Sequence, residues 1–323
     1  MRTNLRSAAL GVLAPAALIA LLAAGNHPRS LLQTAPAAQD FTLGVITTRV
    51  SLPGNLYDKY MSQLDPAKGN LQAQAQGIMS KMSAAEQQQA QAQAQQNPGL
   101  TMMAAWLPRK ATIYVRGQEA RATTDGLTYH LENYFNSAQK SGLCLVKSQA
   151  SSSQLAFTYT NAGVKQEWQT ISATDADYLI QPTTETALIA GYPCLKTRYT
   201  RKPGAASLAQ PGPGTAAGMA VEAVGLDVWT SSKMPVSLNF AHPIYVKEKH
   251  GIMKIVVYLD KAHKQQMLYE FTSVQSKPVA PQDLRIATTG AVLDYDKDGP
   301  SIGLRLLGIM MGAPQTAASP DDK

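Results

Sequence analysis

Asp294-Tyr295-Asp296-Lys297-Asp298-Gly299 is the most specific chemical pattern in this chain. Carboxylates at the first, third and fifth positions, followed by glycine, match the opening half of a calcium-binding loop. A hard cation needs several oxygens converging on it, and glycine permits the sharp turn. The second half does not follow, because Arg305 stands where a bidentate Glu belongs and Pro300 takes the seventh position. Two readings stand: a calcium site on Asp294, Asp296 and Asp298, and a polar, solvated turn after the last strand. Calcium aside, no cofactor is expected.

The other reactive residue types give little to assemble. Cys144 and Cys194 are both set in strand-like surroundings. In an oxidising compartment an even pair reads as a disulfide, and closing a loop of about 50 residues contributes roughly 3–4 kcal/mol in the chain-entropy account. Two separately buried thiols are the other reading; the disulfide is the expectation. His27, His130, His242, His250 and His263 form no His-Glu-x-x-His, so a zinc hydrolase lacks its ligands. No Gly-x-Ser-x-Gly presents a nucleophilic serine. Residues 212–218 (GPGTAAG) look superficially like a dinucleotide loop, but Pro211 and Pro213 remove N–H groups that would face phosphate. Lys196 and Arg198 alternate onto one strand face, either a solvated surface or a contact for an anion or lipid headgroup. Without catalytic residues to name, the chain is expected not to be an enzyme.

The elements that must position these residues follow from composition and period. The chain has 323 residues, 45% hydrophobic and 16% charged, the balance of a globular protein. A net charge of +7, part of it near the N-terminus, is too mild to argue for nucleic acid. Arg2 and Arg6 precede an uncharged run over residues 8–25, and Ala35-Pro36-Ala37 offers a small-residue cleavage site. That is the layout of a secretory signal peptide, taken as residues 1–37; a retained anchor is the alternative, since about 18 apolar residues can just span a bilayer. No later segment is comparably apolar, so no transmembrane span is expected in the mature chain.

Residues 41–50 alternate as a strand. Asp65-Pro66 then reads as a helix start, and Leu71, Ala75, Ile78, Met82 and Ala85 fall on one apolar stripe. The Gln/Ala-rich stretch after Glu86 continues this into one helix over residues 66–96, its second half a solvated extension. From Ala111 the period changes to two, in short segments bounded by turn residues, which argues for an antiparallel meander. A Pro/Gly-rich loop interrupts it at residues 203–218, and residues 313–323 read as a disordered tail. The chain is therefore expected to hold one exported β-rich domain over residues 38–312.

Four segments occur in order: IYVRGQEARATT, YLIQPTTETALIAGYPCLKTRYT, LDVWTSS and MLYEFTSVQSKPVAPQDLRI. Together they resemble a family of exported Gram-negative envelope proteins with a domain of unknown function, similar to the GLPGLI-signature proteins and remotely to LolA-like lipoprotein carriers. The likeness rests on residues 189–194, Val228-Trp229, residues 269–274 and Pro278-Val279; the GLPGLI string itself is absent. The resemblance implies an α+β, mostly β fold: a large, curved, half-barrel-like antiparallel sheet with the N-terminal-half helix packed on its concave face. It implies no activity and no catalytic residues.

A sheet and one Met-bearing helix can leave an apolar cleft between them, for which Met79, Met82, Trp168 and Trp229 are the candidate lining. The expectation is a non-enzymatic protein of the periplasm or outer envelope that binds a lipid, a lipoprotein or another apolar ligand. The alternative is a structural or protein-interaction module of the envelope. Neither the ligand nor the oligomeric state is legible in the sequence.

Overall fold

The computed structural model describes residues 39–65, 68–96, 101, 107–160, 171–205, 223–242, 244–310 and 312. The expected signal segment, Trp168, the tail beyond residue 312 and most of the Pro/Gly-rich loop lie outside the described residues. The N-terminal part holds β1 (Leu43–Ser51), α1 (Leu56–Met61), α2 (Leu71–Met79) and α3 (Ala84–Gln96). Five strands follow: β2 (Lys110–Arg116), β3 (Glu119–Asp125), β4 (Tyr129–Asn136), β5 (Ser141–Ser148) and β6 (Gln154–Thr160). Next come β7 (Ile171–Ala173), β8 (Tyr178–Ile189), β9 (Tyr192–Arg201), β10 (Gly225–Ser231) and β11 (Ile244–Val246). The chain closes with β12 (Gly251–Tyr258), β13 (Gln266–Gln275), β14 (Val292–Asp294) and α4 (Tyr295–Met310).

Twelve strands form one curved, unclosed sheet in the order β14-β6-β5-β4-β3-β2-β1-β13-β12-β10-β9-β8. It is antiparallel except for the short β14, which runs parallel to β6. The mostly β, meandering fold expected from the alternation is thus observed. β2 to β6 wind outward on one side of β1, and β13 back to β8 occupy the other. The alternation sorts the faces: Ile46, Ile113, Ala122 and Cys144 share a cross-strand row ending at Phe157, and Val50, Tyr269, Ile255 and Val228 share another. All nine are buried. Their neighbours in sequence, one residue over, face the other side, which is charged at Arg49, Lys254 and Glu270 and carries a small apolar cluster of Val45, Val279 and Leu284.

The helices depart from the expectation. Residues 66–96 do not make one helix. Asn70, in the left-handed region (φ 34°), caps α2 by accepting from the Ala73 N–H at 2.9 Å. The chain then breaks at residues 80–83, where Ser83 and Glu86 form a capping box: the Glu86 carboxylate accepts from the Ser83 N–H at 3.0 Å, and the Ser83 hydroxyl accepts from the Glu86 N–H. The Gln/Ala half is not a solvated extension either. Ala90 is buried with Tyr60 and Met82, Leu56, Ile78 and Met79 pack around them, and the Gln93 side chain accepts from the Leu56 N–H. The three helices thus pack on one another. The helix that lies on the sheet is α4, against β5, β6 and β14. Its Tyr295, Ile302 and Ile309 are buried, with Tyr295 against Phe157 at 5.8 Å between ring centroids.

The expected disulfide is overturned. Cys144 on β5 and Cys194 on β9 are free, buried thiols in separate core clusters. Eight strand steps separate β5 from β9 in the sheet order, whereas a disulfide needs Cα atoms within about 7 Å. Cys144 fills the row between Asn133 and Phe157. Burial pushes the Cys194 thiol up to about 11 and raises Cys144 as well, so neither is a thiolate at neutral pH.

Two outcomes follow from this packing. Reducing agent should leave the melting midpoint unchanged, and iodoacetamide should modify two thiols per chain in denaturant and neither in the native state; a native mass shift would contradict the burial. Ala90→Asp should destabilise the protein by roughly 1–3 kcal/mol in chemical denaturation, because it places a carboxylate in an apolar contact. Gln88→Asp, on the exposed side of α3, should be close to silent.

Candidate functional site

The polar face carries a row of charges across five strands. Arg49 on β1 stands opposite Glu270 on β13, Glu270 opposite Lys254 on β12, Lys254 opposite Trp229 on β10, and Trp229 opposite Lys196 on β9. Neighbours in this row have the spacing at which cross-strand pairs interact. Arg49 and Glu270 form an ion pair at 2.6 Å, and the Lys196 ammonium lies 5.4 Å from the Trp229 ring centroid, a cation–π distance.

Lys196 is 5% exposed, a rare burial for an ammonium. Between Pro182 and Thr186 the register of β8 slips against β9, setting residues 183–185 opposite Lys196 alone. This bulge folds over the lysine. The Thr183 hydroxyl donates to the Lys196 carbonyl at 2.9 Å, and Glu185 pairs with the ammonium at 2.5 Å. Asp227 completes the cage, 3.4 Å from Lys196 and 3.1 Å from Arg198, and its carboxylate accepts from the Tyr258 hydroxyl. Burial alone would raise the Asp227 carboxyl, but the hydrogen bond from Arg198 and the charges of Lys196 and Arg198 hold it below its ordinary value. Of the basic cluster around Cys194, Lys196 is buried while Arg198 stays on a solvated face, and both cations are answered by carboxylates from their own sheet.

Beside this cage lies an open groove of about 450 Å³. Trp229, Phe271 and residues 187–190 at the end of the β8–β9 hairpin supply apolar walls; Arg49, Lys254 and Glu270 supply charge, with Thr272 between. Its hairpin wall turns on Ala190 and Gly191, both with positive φ (47° and 87°), the turn geometry whose twist matches that of paired strands. A second bulge shapes the floor: Thr48 pairs with Phe271 and Thr47 with Ser273, leaving Thr272 unmatched. That irregularity is why Glu270, Phe271 and Thr272, three successive residues, all reach one groove.

The candidate residues are not brought together as a cleft. Trp229 lines the groove, whereas Met82 is buried inside the helical cluster with Met79 packed beside it. The acidic pattern near the C-terminus builds a helix start. Asp294 accepts from the Asp296 N–H and pairs with Lys297 at 3.0 Å, Asp296 accepts from the Thr160 hydroxyl, and Pro300 lies just past the break in α4 at Asp298. Among the described residues no three His, Cys, Asp or Glu side chains converge as a metal site. The groove residues that sequence reasoning missed, Arg49, Lys254 and Glu270, sit in strands at alternate positions facing away from the core, Arg49 exposed and the other two half-buried, and only the register aligns them.

A second charged cluster lies on β3, β4 and β5. His130 Nδ1 is 2.7 Å from Asp125, Glu132 takes an ion pair from Arg121, and Lys147 approaches it at 3.8 Å. The hydrogen bond to Asp125 raises the His130 pKa; burial opposes this, and the charges of Asp125 and Glu132 add to it.

No family model matches the chain, and no curated protein matches it in sequence. Among solved structures it is similar to one described as an outer membrane lipoprotein-sorting protein domain from Vibrio parahaemolyticus. The identity is 7%, the TM-score 0.14, and the overlap covers 55% of this chain and 83% of that one. At that overlap neither a residue nor an activity transfers.

Asp227→Ala should cost about 3 kcal/mol, because it strips a buried ammonium of one counter-charge; Lys196→Met, which removes the charge and keeps the volume, should cost less. Urea unfolding measures both, and equal losses would contradict a desolvated pair. Because its folded pKa is raised, His130 contributes stability that is complete below about pH 6.5, its unfolded value, and is lost as pH rises through the folded value. The wild type should therefore lose more stability than His130→Gln between about pH 6 and pH 8.

Proposed function

We propose that this is a non-enzymatic protein, exported to the periplasm or outer envelope of a Gram-negative bacterium, that binds an amphipathic ligand in the groove at Trp229. One observation carries the reading. Segments far apart in sequence meet at this groove: Ile189 and Ala190 from the hairpin, Trp229 from β10, and Glu270 to Thr272 from β13. They belong to the strings on which the resemblance to exported envelope proteins rests. A volume of about 450 Å³ lies in the range of small-molecule sites. The walls suit an acyl chain against Trp229, Phe271 and Leu188, with an anionic head toward Lys254 and Arg49. The lipid-carrier role is supported by this chemistry alone. Among the described residues no helix is long and apolar enough to cross a membrane.

A second reading, a structural or protein-interaction module of the envelope, has its own observation: the β8–β9 hairpin exposes four large apolar side chains along its length, Leu179, Ile180, Leu188 and Leu195.

Oleate, a long-chain carboxylate, is the probe. Titration calorimetry should show binding that weakens about tenfold, ~1.4 kcal/mol, in Trp229→Ala, and by a similar factor in Lys254→Glu. Monoolein, which lacks the charge, should bind more weakly to the wild type and be insensitive to Lys254→Glu. Identical affinities for the wild type and Trp229→Ala would place the ligand elsewhere.

A further inference from the structure

We propose that Glu270 sets the specificity of the groove at Trp229. By occupying Arg49 it leaves Lys254 as the one unanswered cation, so the groove selects a head group carrying a single negative charge. This rests on the groove binding an amphipathic ligand, as proposed above, and narrows that ligand's head to one class.

The charges around the groove cancel until one is left. In the cage beside it, Lys196 and Arg198 face Glu185 and Asp227, two cations against two carboxylates. Arg49 and Glu270 form a second neutral set, 2.6 Å apart. Lys254 stands directly opposite Glu270 in the ladder and lines the groove. Among the described residues no carboxylate pairs with its ammonium, because Glu270 is turned to Arg49 instead.

The register puts Glu270 between the two cations, with Arg49 on one flank and Lys254 on the other. Arg49 Nη2 donates to Glu270 Oε1, so the arginine already holds a carboxylate of the chain itself. A ligand anion on Arg49 would have to share that place with a like charge, which is unfavourable at cross-strand spacing. The head is thereby directed to Lys254, and one ammonium neutralises one charge. A second charge on the same head finds no further partner. Beyond Arg49 the next cation in the row is Lys110 on β2, three strand steps from Lys254, or about 14 Å at ordinary strand spacing. Lys254 and Glu270 are both half-buried, so an extra charge set between them sheds part of its hydration with nothing to replace it. Carboxylates and phosphodiesters carry one charge at neutral pH, whereas phosphate monoesters carry close to two.

Titration calorimetry on the intact protein at about pH 8, with decyl phosphate and decyl methyl phosphate, tests this. The two probes share a chain and a phosphate and differ by one charge. The wild type is expected to bind them within about twofold of each other. Glu270→Gln keeps the shape of the side chain and frees Arg49, so it should favour the doubly charged monoester by about fivefold, the scale of one exposed ion pair. Removing the whole pair, with Arg49→Met and Glu270→Gln together, leaves Lys254 alone again and should restore the wild-type ratio. A wild type that already favours the monoester as strongly as Glu270→Gln does overturns the assignment, and so does a double variant that keeps that preference. Trp229→Ala separates the two levels of the reading. If neither probe weakens in Trp229→Ala, the groove is not the site and both proposals fall. If both weaken there while Glu270→Gln leaves their ratio unchanged, the groove stands and only the single-charge selection is overturned.

Discussion

The pairing of β1 on both of its sides is the constraint from which the rest of the sheet follows. β1 takes β2 on one edge and β13 on the other, so it joins two meanders that would otherwise be separate sheets. The second pairing is distant in sequence: Arg49 and Glu270 are 221 residues apart. Loop closure over such a distance is costly in entropy, though the cost grows only slowly with length. The enthalpic return is a ladder continuous over twelve strands, with Ile46 and Val50 buried where the two halves join. Without β1 in place, Ile113 on one half would lose Ile46 and Tyr269 on the other would lose Val50 as its apolar cross-strand neighbour.

The same pairing sets the polar face. Because side chains alternate with period two, placing Val50 opposite Tyr269 in the core necessarily places Arg49 opposite Glu270 outside it. The row from Arg49 to Lys196 is therefore a by-product of core register, and the groove beside it inherits its charge from that register. Trp229 belongs to both systems: its neighbour Val228 is wholly buried, while its own ring packs partly on the core and partly lines the groove. A ligand contacting Trp229 would thus touch the one aromatic in the groove whose position the buried Lys196 also fixes.

How far the sequence announces this can be traced residue by residue. The alternation in β2, β3 and β12 is plain, and the mostly β meander follows from it. Helix boundaries were less legible. The Ser83-x-x-Glu86 capping box was present to be read, and it marks the break in what otherwise passes for one amphipathic run. In α4, Ile302, Leu306 and Ile309 recur at helical spacing, yet Gly299-Pro300 and the acidic pattern before them suggest a turn. The cysteine pairing failed for a different reason. Even parity says nothing about distance in a sheet, and only strand order shows Cys144 and Cys194 to be far apart along it.

The site was the least legible part because bulges shape it, and bulges are invisible to alternation. Thr272 is unmatched on β13, residues 183–185 stand against Lys196 alone, and the register of β10 on β12 shifts between Trp229 and Thr230. Each irregularity costs ladder hydrogen bonds locally and re-aims side chains in return. The one on β8 buries a lysine; the one on β13 turns three consecutive residues toward one hollow; the one beside Trp229 lies where the ring leaves the core for the groove. Their clustering within a sheet that is otherwise regular over β2 to β6 has a physical implication. A regular pleat would present Trp229, Lys254 and Glu270 as a flat row open to water, whereas the bulged strands fold walls around them. The departures from ideal pairing are what convert this part of the sheet face into a concave surface.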